Sequence, residues 1–274
     1  MKYQSSLPEH NDNVSHQHPV REFALLMLGV IGFILLSFWI LGFFVDLAVD
    51  SISPKDEAEL FAEIDIDWDF GEKSSIQKQT RVQQILDALR LCHDIPFATP
   101  VTVVESKDIN AMALPGGRIV VFSGLLDSIK SSNGLAFVLA HELGHFKNRD
   151  HLRSIGRGIV LAALSTLLTG ANSSISQMLT STMTLGQAKY SQSRESKADE
   201  TALQILNCHY GHVGGATELF EALQEQEGAW NFGMLHYFDT HPELQNRINA
   251  IYHLSKERDY QVGKTQSLDN SVSF

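Results

Sequence analysis

His141-Glu142-Leu143-Gly144-His145, followed some fifty residues later by Glu195-Ser196-Lys197-Ala198-Asp199, constrains this chain more than any other feature. On an α-helix, residues four apart share a face with their Cβ atoms about 5–6 Å apart. His141 and His145 can therefore converge on one Zn²⁺ at roughly 2.0–2.1 Å each. Glu142 lies one residue round from the first of them, within reach of a water on the metal but not of the metal itself. The role expected for it is general base. Leu135, Val138, Leu139 and Leu143 recur at helical spacing, which predicts an amphipathic helix over Ser132–Asp150.

H-E-x-x-H is short enough to arise by chance, so it needs context. A catalytic zinc usually has three protein ligands and an open position, often two His and one Glu. Ser193–Leu206 also reads as a helix, with Ala198, Ala202 and Ile205 among its apolar positions. Glu195 and Asp199 are four apart and share a face of it. One carboxylate can bind the metal while the other accepts an N–H from a ligand imidazole and fixes its tautomer. Taken alone, the two acids would read as an exposed face paired with Arg194 or Lys197; behind an H-E-x-x-H they read as part of a site.

Three further stretches carry a family resemblance. Asn110-Ala111-Met112-Ala113-Leu114-Pro115-Gly116-Gly117 precedes a strand, Ser193-Arg194 leads into Glu195…Ala198-Asp199, and Thr240-His241-Pro242 is followed by Arg247. In this order, behind His141–His145, they resemble the M48 family of zinc metallopeptidases, whose membrane-linked members act in protein quality control. The resemblance implies an α+β fold, mainly helical and zincin-like (gluzincin), with a small β-sheet. It implies one Zn²⁺ per chain held by His141, His145 and Glu195, with Asp199 orienting a ligand imidazole. Glu142 and His241 are then the catalytic pair, His241 stabilising the oxyanion, and polypeptides are the substrates.

Phe23–Val45 contains no charged residue. As a helix it would be about 35 Å long, enough to cross a hydrocarbon core with some tilt. The run is too long for a typical cleaved signal and no small-x-small site follows it, so a signal anchor is expected. Lys2 and Arg21 precede the span and Lys55 alone follows closely, which favours a cytoplasmic N-terminus. In a Gram-negative bacterium the remainder would then lie in the periplasm, held to the inner membrane. The expected organisation is a flexible tail over 1–22, the transmembrane anchor over 23–45, a peptidase domain over 46–255 and a polar tail over 256–274 that frays. A net charge of −11 argues against a nucleic-acid partner. A homo-oligomer is compatible with the sequence.

Other segments carry weaker readings. Ser53–Ile64 and Gln77–Leu91 read as helices, and Val101–Val104 and Arg118–Phe122 as strands. Arg118–Phe122 offers an edge to which an extended substrate could add. Gly158–Thr169 is apolar over a length that suits a buried core helix better than a bilayer crossing. Ile64–Phe70 alternates apolar and acidic residues as a half-buried strand does, and lacks the Gly and Glu of a calcium loop. Cys92 and Cys208 fit no metal-binding spacing and are expected as buried, unpaired thiols. Two other functions compete: a membrane-anchored chaperone or adaptor with a structural or latent zinc, and a prenyl-protein peptidase, which would need more membrane helices.

Overall fold

The structure, a computed structural model, describes residues 19–63, 72–93, 95, 99–169, 192–226, 241 and 244–268. The uncharged run lies in α1 (Pro19–Ser51), whose apolar side chains are mostly exposed. It is long and apolar enough to cross a membrane. Ser53 then caps α2 (Pro54–Glu63), its hydroxyl accepting from the Asp56 amide at 3.1 Å. In α3 (Ile76–Arg90), Val82, Leu86 and Leu89 recur on one face and are fully buried.

Three strands follow: β1 (Val101–Val104), β2 (Ala111–Leu114) and β3 (Arg118–Phe122). The order is β1-β3-β2, with β1 parallel and β2 antiparallel to β3. β3 is thus central and has no free edge, which corrects the expectation that substrate could add to it. β2 escaped the pattern reading because Ala and Met are poor strand formers. It is set by the turn instead: Gly116 and Gly117 have φ of 79° and 80°, a region that residues with a Cβ rarely enter.

After the short α4 (Ser123–Ser128), α5 (Ser132–Asn148) carries the histidine pair. Every residue from Ser132 to Phe146 is buried, so the helix is central rather than amphipathic. Its polar residues face partners, not water. Arg149 ends it in the left-handed conformation, φ 56°, and the chain re-enters helix as α6 (Asp150–Thr169). The continuous helix expected to Asp150 is broken there. α7 (Gln192–Tyr210) packs on α5, and α8 (Glu218–Gln226) and α9 (Leu244–Glu257) complete the described helices.

Three other expectations fail. Gly158–Thr169 is not a core helix: it lies along α1, with Ile159 64% and Leu167 81% exposed. Residues 261–268 do not fray. The Gln261 carbonyl accepts from Val213, the Gln266 carbonyl from Ser132, and the Leu268 amide donates to Lys130, burying Leu268. Cys92 and Cys208 form a disulfide, with Cα atoms 5.8 Å apart, joining the end of α3 to α7. Cys92 is half-buried and Cys208 exposed. Ile64–Phe70 lies outside the described residues.

Glu57 ties the anchor-proximal stem to the core. Its buried carboxylate accepts from Arg149 at 2.7 Å, His151 at 2.8 Å and the Gly116 amide at 3.1 Å. Burial alone would raise its pKa, but these bonds outweigh it and hold the carboxyl below its ordinary value. A lowered native pKa gives stability that is present above the unfolded value, about 4.3, and is lost as pH falls through the native one. Glu57→Gln should therefore cost about 3 kcal/mol at neutral pH, leaving Arg149 short of its partner. The gap in melting temperature from wild type should close as pH falls below 4.3. Parallel melting curves across that range would show that the ionised carboxylate is not what stabilises the stem.

Candidate metal centre

α5 brings His141, Glu142 and His145 to one buried point, and α7 brings Glu195 and Asp199 to face them. The two helices can meet this closely because both are small at the crossing. A Cβ on Gly144 would lie 2.9 Å from the Ala198 Cα, closer than real contacts allow. Gly144 and Ala198 thus set the separation that lets Glu195 reach the histidines.

The imidazoles are oriented from behind. His141 Nδ1 lies 2.9 Å from Asp199 Oδ1, and His145 Nδ1 lies 3.0 Å from Asp150 Oδ2. A carboxylate acceptor fixes the proton on each Nδ1, which leaves each Nε2 as a bare lone pair. Those two Nε2 atoms are 3.0 Å apart. Glu195 oxygens stand 3.5 Å from the first and 3.4 Å from the second. His241 Nδ1 approaches within 3.3 Å of His141 Nε2 and 3.0 Å of Glu195 Oε2. The four donor atoms all lie within 4.8 Å of one another.

Such a cluster of lone pairs is repulsive unless a cation stands among them. The charge balance shows the same demand. Burial opposes a charge on His145, but Asp150 and Glu195, with the field of Glu142, push its pKa up to about 9. His141 is also raised: burial and Arg247 oppose its charge, and Asp199 and Glu195 prevail. Glu195 is held far below the carboxylate range; burial resists this, while His241 and the His141 and His145 bonds drive it. Burial lowers His241. Separations of 3.0–3.5 Å among these donors suit a tetrahedral ion with bonds near 2.0–2.1 Å. The residues fit a divalent metal.

Glu142 is buried beside this point, Oε1 3.7 Å from His241 Nε2. Its Oε2 is buried with no hydrogen-bond partner among the described residues, as suits a group whose partner is a water or a substrate.

Every site residue named from the sequence is therefore drawn into one cluster: His141, Glu142, His145, Glu195, Asp199 and His241. Thr240 and Pro242 lie outside the described residues. Two contributors had no assigned task. Asp150, five residues past His145, reaches it only because the chain breaks at Arg149 and turns. Arg247 is buried and clamps Asp199, with Nε to Oδ2 at 2.9 Å and a terminal nitrogen to Oδ1 at 2.6 Å. Its other terminal nitrogen lies 2.7 Å from Glu195 Oε2. The Thr-His-Pro…Arg pattern marked the residue but not this role.

The chain is similar to metalloprotease YcaL of Escherichia coli, 31% identical over 162 residues, covering 56% of this chain and 61% of that one. It is similar to the mitochondrial metalloendopeptidase OMA1 of Schizosaccharomyces pombe, 32% identical over 155 residues, 54% of this chain and 44% of the relative. Against the bovine mitochondrial metalloendopeptidase OMA1 the identity is 26% over 257 residues, 82% of this chain and 49% of the relative. The chain thus spans roughly half of the curated relatives it matches. Peptidase family M48 matches residues 76–255, a segment holding both helices of the cluster, His241 and Arg247. With that match across more than half its length, the chain belongs to peptidase family M48.

Proposed function

We propose that the chain is a membrane-anchored, zinc-dependent endopeptidase that cleaves unfolded or damaged polypeptides. The observation that carries this reading is the pair of Nε2 lone pairs 3.0 Å apart, facing Glu195, with Glu142 buried alongside. Two imidazoles and a carboxylate are a donor set that suits zinc. His141, His145 and Glu195 would hold it, and Asp199 and Asp150 would keep the two rings in the ligating tautomer.

A zinc ion bound there supplies Lewis-acid polarisation of the scissile carbonyl and a water acidified toward a pKa of ~7. Glu142, buried beside that point with a free carboxylate oxygen among the described residues, would be the base that takes the proton of an attacking water and passes it to the departing amine. His241 stabilises the developing oxyanion through its Nε2 side. The same geometry supports a second job for His241: four donors within 4.8 Å would close the coordination and make the resting site latent.

Substrate binding falls to β2. It is an edge strand next to α5, and no strand pairs with its outer side among the described residues. An extended peptide adding there would gain main-chain hydrogen bonds with little demand on sequence, as unfolded substrates require. α1 anchors the enzyme in the inner membrane, with the peptidase unit in the periplasm. We take 1–22 as a tail, 23–45 as the span and 46–255 as the peptidase unit, to which the docked residues 261–268 add. An adaptor with a structural zinc would leave Glu142 without a task.

The test uses the full chain in detergent, with zinc measured by mass spectrometry of the metal and casein cleavage followed by product sequencing. One zinc per chain is expected, with internal cleavage that chelation abolishes and added zinc restores. His241→Ala should slow cleavage by about 10²–10³ if His241 is an oxyanion donor, and accelerate it if His241 closes the site. A chain without zinc would sink the site assignment, and zinc with no cleavage even in His241→Ala would favour the adaptor.

A further inference from the structure

The uncharged part of α1 ends at Val45, and Asp46 follows; the apolar part of α6 begins at Gly158, just after Arg157. The two helices run antiparallel, with Gly156 packed so closely on Val45 that a Cβ there would lie 2.5 Å from its Cγ1. Asp46 Oδ2 and an Arg157 terminal nitrogen meet at 2.7 Å. Both helices therefore change from polar to apolar at one level. If α1 spans the bilayer, that level is the headgroup layer.

A cavity of about 500 Å³ opens there, between the end of α1, the start of α6 and the start of α7. Its cations are Lys147, Arg149, Arg153, Arg157, Arg194 and Lys197. Asp46, Asp50 and Asp150 oppose them in the lining and Glu57 pairs with Arg149 from behind it, six positive groups against four negative. This excess stands on a chain whose net charge is −11. Arg153 pairs with Asp46 and Asp50, and Arg194 pairs with Asp150 at 3.3 Å. Lys197 is exposed at the rim, and the Arg149 Nε is buried without an acceptor among the described residues.

We propose that this cavity binds the phosphate of an anionic phospholipid headgroup. Guanidinium groups offer the forked donors that phosphate oxygens take in pairs. The adjoining exposed apolar faces of α1 and α6, including Leu47, Ile159 and Leu161, would receive the acyl chains. Two walls of the cavity belong to the metal centre: Asp150 holds His145, and Arg194 precedes Glu195. A bound headgroup thus seats the metal centre against the membrane surface. The proposal rests on α1 crossing the membrane and is independent of peptide hydrolysis.

The full chain in a neutral detergent is titrated with phosphatidylglycerol, phosphatidylcholine or inorganic phosphate, and adducts are counted by native mass spectrometry. One phosphatidylglycerol should bind at least tenfold more tightly than phosphatidylcholine. At about 1 kcal/mol for each cation near a lipid surface, Lys197→Gln should weaken it about fivefold and Arg153→Gln with Lys197→Gln about thirtyfold. Equal affinity for the two lipids would overturn the proposal. So would unchanged binding in Lys197→Gln, an exposed substitution that tests the site even where the double variant fails to fold. Complete displacement by equimolar inorganic phosphate would reassign the cavity to the free anion.

Discussion

Glu142→Gln should lower casein cleavage by about 10³ while bound zinc and melting temperature stay at wild-type values. The size follows from the usual contribution of a positioned general base, 10²–10⁴. Glutamine keeps the shape and the buried position of Glu142, 1% exposed, but its amide cannot take a proton from water. Glu142 is no donor to the metal cluster, so the metal should remain. Metal content and activity must be read on the same sample. Cleavage at wild-type rates would place the base elsewhere. Loss of zinc together with activity would make Glu142 a structural member of the cluster.

Arg247→Met should be the most destabilising single change outside the metal ligands, by about 3–5 kcal/mol. Arg247 is buried, chelates Asp199, pairs with Glu195 at 2.7 Å and lies over the Phe220 ring at 4.7 Å. Methionine fills part of the volume and removes the charge. Two buried carboxylates then lose their shared cation, and at Asp199, whose pKa Arg247 and His141 together hold down against burial, only His141 is left to oppose it. For a chain of this size that loss corresponds to a fall of roughly 10 °C in melting temperature. Adding Asp199→Asn should recover part of it, because the unpaired charge is then gone. A fall below 1 kcal/mol in Arg247→Met, or no recovery in the double variant, would show that the clamp does not stabilise the site.

Local spacing made much of the site legible. His141 and His145 at four residues, and Glu195 and Asp199 likewise, share faces on any α-helix, whatever the rest of the chain does. The apolar run in α1 and the buried stripe of α3 are decided in the same way, within a few turns. Asp150 shows the limit. Its bond to His145 depends on one left-handed residue, Arg149, that no periodicity announces.

What the sequence determined by itself is therefore the set of donors and the faces that carry them. Only the tertiary structure decided how they meet. Gly144 against Ala198 fixes the distance between α5 and α7. The order β1-β3-β2 moves the open edge to β2. Cys92 and Cys208, 116 residues apart, come within bridging distance only after α3 and α7 have packed. Gly158–Thr169, apolar enough for a core, finds α1 for a neighbour instead. Periodicity is fixed by backbone geometry over one or two turns, whereas Gly144 and Ala198 are 54 positions apart, Val45 and Gly156 111 and the cysteines 116, and packing alone selects among their alternatives.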